Sequence, residues 1–142
     1  MSNYQFFASK TAIKEYDNLR IKKITKDNST CLSMRFPVDE LHAMRIIKEE
    51  DLSLTAPYTD KRYCNYIEWH YNDENAKIII DFIKEHLLTS YTIELWNTWL
   101  GDASPALKHK IPLSNLNISD IQSIWGKNSF NKNECLVVYK EY

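Results

Sequence analysis

The stretch YCNYIEWHYNDENAKIIIDFIKEH, residues 63–86, changes its periodicity halfway along, and that change decides the fold class. Residues 63–71 are rich in aromatic side chains and read as a strand. Alternation then puts Cys64, Tyr66, Glu68 and His70 on one face and Tyr63, Asn65, Ile67, Trp69 and Tyr71 on the other. The second set, centred on Ile67 and Trp69, is the expected core face. From residue 72 the period becomes helical. Ala76, Ile79, Ile80, Ile83 and Leu87 form one stripe, widened by Ile78 and Phe82. Asn72 or Asp73 can cap this helix, and Asp73 and Glu74 complement its positive end.

Working outward, NYQFFAS (3–9) reads as a short strand, KTAIKEYDN (10–18) as loop or one helical turn, and LRIKKIT (19–25) as a polar strand. Lysines in RIKKITK (20–26) suit a solvated edge. CLSMRF (31–36) alternates like a half-buried strand that Pro37 ends. Pro37, the acidic residues after it, and Leu41, Met44 and Ile47 fit a helix over 38–50, although HAMRII also fits a strand. APYTD (56–60) is a turn. YTIELWNTWLG (91–101) is a long strand, and HKIPL is an edge strand because Pro112 cannot donate to a central ladder. NISDIQSIWG reads as a short helix with a Ser119/Gln122 capping box and Gly126 at its stop. CLVVYKEY closes as an interior strand. The order implies one α+β domain over 1–142: a mostly antiparallel sheet with two or three helices on one face, a ferredoxin-like sandwich with extra strands.

A chain of 142 residues can bury a core without disulfide or metal. The net charge of −1 argues against a dedicated binder of nucleic acid or anionic membrane. Two glycines leave little room for glycine-rich phosphate loops. The start MSNYQFF lacks the pattern of a signal peptide, and no apolar run approaches the about 20 residues that span a bilayer. Cys31, Cys64 and Cys135 are widely spaced, so reduced, mostly buried thiols in the cytoplasm are expected. No cofactor motif is found.

Four readings compete for the chemically loaded residues. Cys64 and His70 lie about 20 Å apart along a strand, too far for one metal ion. Glu68 and His70 lie about 6.6 Å apart on one side, within reach of each other. That spacing suits an acid/base pair of a small enzyme, but no further metal ligand or nucleophile motif accompanies it. Tyr63, Trp69 and Tyr71 could stack single-stranded RNA, yet acidic residues crowd the basic ones there. On 91–101, alternation sends Trp99 inward with Ile93 and Leu95. Trp96 beside Glu94 is then a surface aromatic, either covered by the helix at 119–125 or serving as a partner anchor.

The layout, with its tail KIPLSNLNISDIQSIWG followed by CLVVYKEY, resembles small cytoplasmic immunity proteins that neutralise bacterial toxins, and small proteins of low-GC bacteria. The resemblance is one of plan over about half the chain and transfers no residue roles. It implies a non-catalytic protein-binding domain. The expected contact residues are Tyr66, Glu68, His70, Glu94 and Trp96, an acidic-aromatic face suited to a basic toxin domain. A homo-oligomeric subunit is a further reading.

Overall fold

The computed structural model describes residues 3–18, 22–26, 30–34, 40–102, 104–126 and 132–141. Their strands are β1 (Asn3–Ser9), β2 (Tyr16–Asp17), β3 (Lys22–Lys26), β4 (Thr30–Met34), β5 (Met44–Lys48), β6 (Tyr63–Trp69), β7 (Thr92–Trp99), β8 (Leu107–Pro112) and β9 (Glu134–Tyr139). The helices are α1 (Asp73–His86) and α2 (Ile118–Trp125). Among the described residues, β3 and β4 pair as a two-stranded sheet, and the others form one sheet in the order β2-β5-β6-β1-β7-β9-β8. All its pairs are antiparallel except β8 with β9. The expected α+β class, with helices on one face of a mostly antiparallel sheet, therefore holds.

The two crossovers differ. β1 lies antiparallel between β6 and β7, so β6–α1–β7 is a split βαβ unit. β8 and β9 are parallel neighbours joined through α2, so nothing is inserted between them. The interlocked pair of split units that a ferredoxin-like sandwich requires is met only in its first half.

The helix face carries the larger core. Phe7, Met44, Ile46, Ile67, Ile93, Leu95, Leu136 and Val138 meet Ala76, Ile79, Ile80, Phe82, Ile83, Ile121, Ile124 and Trp125. The stripe read from residues 76–87 is the buried face of α1. Asn72 caps this helix by accepting the Asn75 N–H at 2.8 Å.

The expected helix over 38–50 is replaced by a 3-10 turn at Glu40–His42 and by β5. Met44 and Ile46 are fully buried, while Arg45 and Ile47 point to the other face, a period-2 division that a helix cannot make. Residues 10–18 are not helical and contribute β2. In α2 the capping box is Asn117/Asp120, not Ser119/Gln122: Asn117 is a strong N-cap type and sits at the entry to the helix, and Ser119 donates its N–H to it. Gly126 caps the C-terminus, its N–H reaching the Gln122 carbonyl at 2.8 Å. The expected burial along 31–36 and the stop at Pro37 lie outside the described side chains and residues.

Candidate interaction site on the open half of the sheet

Among the described residues, the sheet face opposite the helices is covered over one half, whereas over the other half Glu15 and Glu68 are exposed and Tyr4, Ile47 and Tyr66 are half-buried. The covered half holds Phe6, Ala8, Cys64, Trp96 and Cys135, with Tyr4, Tyr58, Tyr66, Ala106 and Val137 at its margin. The connection between β5 and β6 forms its lid. Tyr58 packs 6.2 Å from the Trp96 ring, and its hydroxyl lies 3.0 Å from the Trp99 carbonyl. Thr59 Oγ1 donates to Glu94 Oε1 at 2.6 Å, and Trp96 Nε1 donates to the same oxygen at 2.9 Å. Phe6 stacks on Trp96 at 6.0 Å, and Lys108 Nζ stands 5.5 Å from that ring.

Two expected contact residues are therefore corrected. Trp96 is 1% exposed and Glu94 is 7% exposed, so neither is available to a partner. The alternation along β7 was right, but both of its faces are covered. α2 does not cover the Trp96 ring either. It lies on the opposite face, where Trp125 Nε1 donates to the Trp96 carbonyl at 3.0 Å. Trp99, expected in the core, is half-buried at the end of its strand.

The other expected residues follow β6 out of the covered half. Cys64 is 2% exposed, Tyr66 is half-buried, and Glu68 and His70 are exposed. Register places Ile47 beside Tyr66, and sets Arg45 between Glu68 and Asp17. Arg45 Nε donates to Asp17 at 3.2 Å and Arg45 Nη1 stands 3.9 Å from Glu68. Glu15 joins this row at a hollow of about 250 Å³ shared with Asp17, Arg45 and Ile47. Tyr4 donates its hydroxyl to Glu49 at the boundary, and burial, then that carboxylate, push its pKa up. Among the described residues, the surface is thus Tyr4, Ile47 and Tyr66, bordered by Glu15, Asp17, Glu49 and Glu68, with Arg45 between Asp17 and Glu68. Sequence reasoning missed the β5 members because it favoured a helix there; the alternation of Met44 and Ile46 with Arg45 and Ile47 was the signal.

The remaining chemical readings can be placed. No hydrogen bond joins Glu68 to His70 among the described residues, and both face solvent. Trp69 and Tyr71 lie against the helix-side core, as the alternation implied, with Trp69 edge-on to Trp125 at 5.8 Å, so the alternative of an aromatic platform for RNA does not form. Among the described residues, no three His, Cys, Asp or Glu converge as a metal site. Cys64 and Cys135 are free and buried, and burial raises both thiol pKa values.

One contact had no sequence signal. His86 Nε2 lies 2.8 Å from Ser9 Oγ, across 77 positions of chain. Burial lowers the His86 pKa, which favours the neutral ring. Ser9 is fully buried and also reaches the Thr92 carbonyl at 3.3 Å, and among the described residues no carboxylate contacts His86. The pair satisfies polar groups where β1, α1 and β7 meet; a nucleophile would need access that Ser9 lacks.

Fold and surface together define a class: an α+β domain on a mixed seven-stranded sheet, with Glu15, Asp17, Glu49 and Glu68 along one half of its back among the described residues. No protein-family model matches the chain, and neither curated proteins nor solved structures give a match. No helix among the described residues is long and apolar enough to cross a membrane.

Proposed function

We propose that this chain is a non-catalytic protein-binding domain acting in the cytoplasm, of the immunity or antitoxin-like kind, and that its partner is a basic protein domain. The observation that supports the reading is the half of the back face beside β5, where, among the described residues, Tyr4, Ile47 and Tyr66 lie with Glu15, Asp17, Glu49, Glu68 and Arg45. Tyrosine at the centre of such a patch supplies contact area with a polar tip, and an acid excess around it steers a cationic partner. His70 stands at its rim. The split βαβ unit is what supports a ferredoxin-like kinship. The enzyme reading, with Glu68 and His70 as an acid/base pair, is the weaker one because their side chains do not engage each other.

Affinity capture from the source cells with wild-type and Y66A/E68K baits tests this reading. A basic protein retained by the wild type and lost from the folded double variant supports it. Equal retention by both baits refutes the assigned face.

A further inference from the structure

Among the described residues, β8 ends the large sheet and pairs only with β9. The Leu107 N–H donates to the Asn133 carbonyl at 2.9 Å. In a parallel pair, successive residues turn their backbone groups alternately toward and away from the neighbour. Leu107, His109 and Ile111 therefore engage β9, while Lys108 and Lys110 direct their N–H and C=O groups outward. The next outward position is Pro112, which has no N–H to leave unpaired.

The side chains of this edge also divide. Ile111 packs on the helix-side core, and a hollow of about 280 Å³ between β8 and α2 is lined by His109, Lys110, Ile111, Ser123, Ile124 and Leu136, with Asp120 and Glu134 also at its wall. On the other face, Lys108 lies over Trp96, and Lys110 follows it. Leu107, Lys108, His109 and Lys110 are all exposed, with Leu107 at 50%.

We propose that β8 is a docking edge for an extended peptide segment in which apolar and acidic residues alternate. The segment adds to the sheet as a further strand. Its apolar side chains extend the Leu107, His109 and Ile111 row toward α2, and its carboxylates stand opposite Lys108 and Lys110. Charge selects this occupant over a second copy of the chain. Antiparallel self-pairing centred on His109 would set Lys108 against Lys110 of the other copy, and like charges directly opposite destabilise a strand pair. The edge lies at the other end of the sheet from the acidic surface and presents Lys108 and Lys110 on the face away from α2, so it stands independently of that reading.

The test is fluorescence anisotropy of a short labelled peptide alternating valine and glutamate, with valine–lysine and scrambled valine–glutamate peptides as controls. The alternating acidic peptide should bind best, and more weakly as salt rises. K108E/K110E should weaken it about tenfold. Lys110→Pro should abolish binding without loss of fold, because the N–H it removes points away from β9. N-methylating the peptide on its β8-facing amides should abolish binding to the unaltered protein, while methylation of the outward amides should not. Equal binding of acidic and basic peptides, or indifference to both Lys110→Pro and N-methylation, overturns the proposal. A concentration-dependent dimer abolished by Lys110→Pro would overturn the choice of occupant.

Discussion

Trp96, expected either under the helix at 119–125 or as an exposed partner anchor, is buried beneath Tyr58, and its substitution separates a buried from an exposed ring by energy. Trp96→Phe keeps a ring against Phe6 and Tyr58 but removes the N–H that reaches Glu94 at 2.9 Å. A hydrogen bond to a charged group contributes about 1.5–3 kcal/mol, and the space left by the smaller ring adds about 1 kcal/mol. The expected loss is therefore about 3 kcal/mol. With a urea m-value of about 2 kcal/mol/M, the midpoint should fall by about 1.5 M. Glu68→Gln, on the open half, should shift it by no more than about 0.3 M. Urea unfolding followed by far-ultraviolet circular dichroism reads both. Equal small shifts for the two variants would refute the covered half, the lid at Tyr58 and Thr59, and the interior position of Glu94 together.

Four further outcomes follow from the same geometry. His86 has a folded pKa below its unfolded value because of burial, so its contribution to stability is complete above the unfolded value of about 6.5 and is lost as pH falls through the folded pKa. Wild-type stability should thus drop more between neutral and mildly acidic pH than that of His86→Gln, and equal slopes would contradict the burial. In a Cys31→Ser background, Cys64 and Cys135 should react with a thiol reagent only on unfolding, since both are buried with raised pKa values; rapid native labelling would contradict this. Gly101 has φ 92°, so Gly101→Ala should cost about 1–2 kcal/mol and Gly101→Asn less, measured by thermal melting. Asn117→Ala should cost about 1 kcal/mol through loss of the α2 cap, whereas Gln122→Ala should cost far less, which checks the reassigned capping box.

The elements with unbroken periodicity were legible. The switch from two-residue to helical period at Asn72 gave β6 and α1, and Pro112 gave the edge position of β8, because each follows from local chemistry. The stretch 38–50 was not legible, since Leu41, Met44 and Ile47 satisfy helical spacing while Met44 and Ile46 satisfy a strand; pairing of β5 with β6 decided the matter. Trp96 and Glu94 were assigned to the correct face of β7, but sequence does not state whether a face is covered. The covering came from Tyr58 and Thr59, about 35 residues away along the chain, in a segment that read only as a turn. The open site was half legible: Tyr66 and Glu68 lie on one strand with His70 just beyond its end, whereas Tyr4, Arg45, Ile47 and Glu49 reach them only through strand order. Ser9 and His86 met for the same reason, without any local sign.

The most direct check on the assigned binding face is amide hydrogen exchange of the chain free and bound to whatever basic protein the capture yields. Slowed exchange over residues 45–49 and 65–68 on binding, with α1 and α2 unchanged, is the predicted result. Protection confined to the helices, or no change at β5 and β6, would contradict it.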